Sequence, residues 1–187
     1  MKSWLRLAHF IDRCNRWLAY FAAGLTLLMV LIGAYNAVGR YLGKYLGVTI
    51  TSNALVEAQW YLFSMVFLLA APWALKVGAH VRVDVIHGRL SPRKQVYIDL
   101  FATIFLVLPF VALSLYTCVE FAQLSVQARE VSNDPGGLAR WPLKSMVPVA
   151  FAALLLQGLA QIIHQIAFLR GLGEDPNQHE PEGGLES

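Results

Sequence analysis

From Ala58 to Leu75 the chain runs eighteen residues without a charged side chain, and no other stretch restricts the possible fold as much. As a helix rising about 1.5 Å per residue it is roughly 27 Å long, close to the ~30 Å hydrocarbon core of a bilayer. It has no polar face to offer water, so it can only cross lipid or be wrapped by other helices on every side. Glu57 opens the segment and Lys76 closes it, followed by the alternating GAHVRVDV.

Composition decides between those two fates. Hydrophobic residues make up 57% and charged residues 14%, against roughly 45–50% and about 25% in soluble domains. The apolar content falls into four long runs, which leaves no material for a separate soluble domain. The expected fold is an all-α membrane protein with four transmembrane helices, at about 17–39, 58–75, 100–119 and 145–169.

Residues 1–16 carry Lys2, Arg6, Arg13 and Arg16 with Trp4, Leu5, Leu7, Ala8 and Ile11 interleaved at roughly helical spacing. This pattern predicts a short amphipathic helix on the membrane surface before the first span. The apolar run from Trp17 to Gly39 exceeds the 7–15 residues of a signal-peptide core, so it reads as retained. Segment 40–57 suits a short loop or interfacial helix. After the second span, Val81, Val83 and Val85 alternate with His80, Arg82 and Asp84, a period of two that suggests an extended strip. LSPRK then restarts a helix with Ser91 as cap and Pro92 at its first position.

Pro109 lies near the middle of the third run, where a kink is tolerable if neighbouring helices satisfy the freed carbonyl. The helix should continue past the membrane through EFAQLSVQARE and stop at the turn-forming SNDPGG. Trp141 and Pro142 open the fourth span. Residues 171–187 hold five acids and no apolar period, the mark of a disordered tail.

Lys and Arg number four before the first span, two in the first loop, five in the second, three in the third and one after the last. Four spans put both termini on one side, so ten of these charges fall on that side and five on the other. The positive-inside rule assigns the ten to the cytoplasm. The +3 net charge is spread over span ends, which argues against a nucleic-acid partner. Cys14 and Cys118 form no CxxC pair and are expected near opposite faces, so neither a disulfide nor a metal site is expected from them.

Chemistry is sparse. No nucleophile, phosphate loop or carboxylate pair supports an enzyme, and no cofactor is expected. His9, His80 and His87 fall in cytoplasmic or interfacial segments, leaving His164 without a partner at its depth for haem ligation. A redox-enzyme membrane anchor is therefore the weaker alternative. A self-sufficient four-span exporter would need an acid in its first span, and Trp17–Gly39 has none. Two polar stripes remain: Gln157, Gln161, His164 and Gln165 on the fourth span, and Asn53, Glu57, Tyr61 and Ser64 on the second. They either bond within the bundle or form a seam for a second membrane protein.

Glu57 with Trp60 and Tyr61, the run FLLAAPWALK, the exit GAHVRVDV, the restart LSPRK and WPLKSMVPVAFAALLLQGLAQII resemble, in that order, the DctQ-type small membrane subunit of TRAP (tripartite ATP-independent periplasmic) transporters. The resemblance covers roughly residues 15–170. It implies a non-catalytic scaffold in a bacterial inner membrane, beside a large membrane subunit that holds substrate and ion sites. It also implies a periplasmic protein that delivers an organic acid or related solute. On this resemblance Glu57, Trp60, Arg82, Asp84, Gln157, Gln161 and His164 become candidate contacts with the large subunit. Arg129, Arg140 and Lys144 become candidates for docking the binding protein.

Overall fold

A computed structural model of the chain describes residues 1–48, 50–79 and 90–173. They form four helices, each long and apolar enough to cross a membrane: α1 (Lys2–Leu46), α2 (Asn53–Lys76), α3 (Pro92–Gln127) and α4 (Trp141–Leu169). No strand forms among these residues; the nearest approach is an isolated antiparallel bridge between Val131 and Ala139. The alternating strip with Arg82 and Asp84 and the acidic residues of the tail lie outside the described residues.

α1 differs from expectation. Residues 1–16, read as a separate surface helix, are continuous with the first apolar run in one helix of 45 residues. No Gly or Pro occurs between Lys2 and Ala23 to break the chain, and Asp12 and Asn15 are buried, so the first turns are held in the bundle by packing. Arg170 Nη1 reaches Met1 Sδ at 3.7 Å, which sets the start of α1 beside the end of α4. At the other end α1 continues to Leu46 and α2 begins at Asn53, so the first link is much shorter than 40–57.

α3 starts as its sequence suggests. Ser91 is extended (φ −64°, ψ 149°) and Pro92 takes the first turn, while the Ser91 carbonyl accepts the Lys94 and Gln95 amides at 2.8 and 3.1 Å. The strain of Pro109 is absorbed upstream: Thr103–Val107 is a π-helical turn in which the Leu108 amide bonds the Thr103 carbonyl. Proline lacks an amide and its ring crowds the carbonyl four residues back. Widening the preceding turn relieves both problems without ending the helix.

α4 is the hub, packing on α1, α2 and α3, whereas α3 packs chiefly on α4. Its buried residues are Ala150, Gln157, Gly158, Ala160, Gln161, Gln165 and Ala167. Small side chains let neighbouring backbones approach where no hydrophobic force drives helices together in lipid. Gly158 shows how close that approach is, since a Cβ there would meet Leu108 Cδ2 at 3.0 Å.

Candidate functional site

Two polar clusters tie the bundle together, one at each end. The first gathers around Asp12, which is only 5% exposed. Gln157 Nε2 donates to Asp12 Oδ1 at 2.9 Å, and Asn15 Nδ2 donates to Gln157 Oε1 at 2.7 Å. The other carboxylate oxygen lies 3.0 Å from Lys76 Nζ and 3.0 Å from His164 Nε2. A carboxylate can only accept, so the imidazole proton facing it sits on Nε2. One acid thus joins the start of α1 to the ends of α2 and α4.

Aromatic rings complete this end. Lys76 Nζ and the Arg16 guanidinium lie 5.0 and 5.2 Å from the centre of the Trp73 ring, within cation–π range. His9 meets His164 edge-on with centroids 5.1 Å apart. The expectation that His164 has no neighbour at its depth is therefore corrected: unbroken α1 brings His9 to it. Rings in direct contact leave no room for a macrocycle between them.

The second cluster closes the opposite end around Glu57, which is also buried. It accepts the Ser132 hydroxyl and the Leu138 amide, the latter at 2.5 Å. Asn53 Nδ2 donates to the Pro135 carbonyl at 3.0 Å, and the Tyr61 hydroxyl donates to the Leu138 carbonyl at 3.4 Å. Helix α2 thereby clamps the loop between α3 and α4. Gly137 makes this possible, because a Cβ there would lie 2.7 Å from Glu57 Oε2 and 2.5 Å from Ser132 Cβ.

The same loop is tied from below by Glu130, which accepts Lys144 Nζ at 2.5 Å and Ser125 Oγ at 2.8 Å. The Lys144 ammonium, and then the Ser125 hydroxyl, hold the Glu130 carboxyl below its ordinary range. Between the end of α3 and the start of α4 an open groove of about 310 Å³ is lined mainly by Val119, Ala122, Val126 and Pro148.

The positions singled out in the sequence are distributed as follows. Gln157 and Gln161 are buried, with Gln157 wholly enclosed, and His164 faces Asp12. Trp60 remains 42% exposed, edge-on to Tyr61. Arg129 is exposed at the loop start with a left-handed backbone (φ 45°), and Lys144 is engaged by Glu130. Cys14 and Cys118 are free thiols.

Asp12 and Asn15 were missed. One signal was present: Asp12 is the only acid before Glu57, set among four cations. No grouping of three or more His, Cys, Asp or Glu that could hold a metal ion occurs among the described residues.

Four apolar helices cross-linked by polar contacts at both ends define a multi-pass, all-helical membrane protein. Residues 29–168 match the family model of tripartite ATP-independent periplasmic transporters, DctQ component, and the chain belongs to that family. It is accordingly a small permease component of a TRAP transporter. Comparison with curated proteins and with solved structures returned no match.

Proposed function

We propose that this chain is a non-catalytic brace for the large membrane subunit of its transporter, during uptake of an organic acid or related solute handed over by a periplasmic binding protein. Family membership supports the setting. The observation that carries the bracing role is the commitment of Asp12, Asn15, Lys76, Gln157 and His164 to one another across three helices. Membrane proteins that hold cargo use intramembrane polar groups for it; here those groups stiffen the bundle.

In this reading the inner-membrane orientation follows the charge count, with both termini and loop 76–99 cytoplasmic and the clamped loop outward. Trp60 is the contact candidate that still presents a ring to a neighbour, with Arg82 and Asp84 retained on resemblance alone. Glu57, Gln157, Gln161 and His164 act by shaping the surface. Arg129, with Arg140 and Lys144 behind it, sits on a loop whose pre-ordering suits docking of the binding protein.

Reconstitution tests the proposal. The chain alone in vesicles should transport no solute, and tagged chain should recover the large subunit from detergent extracts. Solute accumulation by the chain alone would overturn it.

A further inference from the structure

The network around Asp12 leaves a row of basic side chains beside it. Lys2, Arg6, His9, Arg13 and Arg16 recur at i, i+4, i+7, i+11 and i+14, which places them on one face of α1. Lys2, Arg6, His9 and Arg13 are exposed. The only acid in this part of α1 is Asp12, and it is already shared by Lys76, His164 and Gln157. Among the described residues no carboxylate pairs with Lys2, Arg6 or Arg13.

Depth follows from α2. Lys76 ends the charge-free run of that helix and bonds Asp12, so the level of Asp12 marks the rim of the hydrocarbon. Arg13 lies at that rim, and Arg6 and Lys2 are about 9 and 15 Å farther out along the helix at ~1.5 Å per residue. On the inner side of the rim Trp17 and Tyr20 are 69% and 62% exposed, with rings 6.3 Å apart, as expected of an interfacial belt. Phe10 adds an exposed apolar ring within the cationic stretch.

Cations from the hydrocarbon rim outward, beside exposed aromatics, meet the headgroup layer of a leaflet. We infer that Lys2, Arg6 and Arg13 form a binding face for the headgroup phosphates of anionic phospholipids, holding α1 at a set depth. Charge complementarity selects this occupant: phosphate supplies an anion that no described carboxylate supplies, and acyl chains cover Trp17 and Tyr20. The inference is independent of the bracing role.

Native mass spectrometry of the full chain, released from micelles loaded with phosphatidylglycerol or phosphatidylcholine, tests it. Wild type should retain phosphatidylglycerol preferentially. The triple variant Lys2→Gln, Arg6→Gln, Arg13→Gln should lose that preference by about fivefold per cation removed. Arg6→Lys with Arg13→Lys should keep it, which separates charge from misfolding. Millimolar inorganic phosphate should not compete.

Equal retention of the two lipids by wild type would overturn the inference, as would an unchanged triple variant. Displacement by inorganic phosphate would overturn the lipid in favour of a free-anion site. Unchanged lipid retention with weaker recovery of the large subunit would give the face to a carboxylate on that partner instead.

Discussion

Asp12 and Gln157, 145 residues apart in the chain, are joined by a hydrogen bond of 2.9 Å that fastens the first helix to the last. Because Gln157 also accepts from Asn15, neither member can be removed without stranding another buried polar group. Breaking one partner of a buried charged pair typically costs about 3–5 kcal/mol, while amide contacts in membranes are worth nearer 0.6–2 kcal/mol.

Asp12→Asn should therefore destabilise the bundle more than Gln157→Leu, since it leaves the Lys76 ammonium without its counter-charge. Thermal unfolding in detergent checks the order. A double-mutant cycle on the pair should show coupling of about 0.5–3 kcal/mol; strict additivity would mean that the two do not share one network.

Gln157→Leu with Gln161→Leu should leave membrane insertion intact and weaken recovery of the large subunit. The cause would be a loosened α1–α4 packing rather than a lost direct contact, so Asp12→Asn should weaken recovery in parallel. Pull-down of tagged chain measures both. Loss with the glutamine pair but not with Asp12→Asn would instead favour direct contact.

Glu57→Gln should free the loop between α3 and α4. Glu57 holds that loop through a charged acceptor on the Leu138 amide, so tryptic cleavage at Arg129 and Arg140 should accelerate roughly several-fold or more. Gly137→Ala should do the same by driving a methyl group into Glu57 and Ser132. Unchanged cleavage in both variants would show that Glu57 does not restrain the loop.

Acid should undo the lower tie on that loop. Glu130 has its folded pKa depressed below 4.5 by Lys144 and Ser125, so its contribution is whole above about pH 4.5. It is lost as pH falls through the lower folded value. Relative to the intrinsic exchange rate at each pH, protection of the loop amides should fall over that window in wild type, and Glu130→Gln should already show low protection at neutral pH. A wild-type protection factor that does not change with pH would contradict the assignment.

Run length and charge made the four helices legible without a structure, because a bilayer admits only apolar segments of sufficient length whose backbone groups bond internally. Local chemistry was equally plain at Ser91 and Pro92, where helix start and residue type coincide. The order of GAHVRVDV, LSPRK and the fourth run carried the resemblance to the family. Asp12 was not legible in its role: near four cations it reads as one more interfacial charge, and its partners lie 64, 145 and 152 residues away.

Hydropathy along the chain determined how many times it can cross the membrane, because transfer into lipid is a sum over neighbouring residues. Which polar side chains meet, and that α1 runs unbroken to bring Asp12 and His9 against α4, was decided only by the packing. Hydrogen bonds between helices depend on rotation and depth, and neither is encoded in a local window.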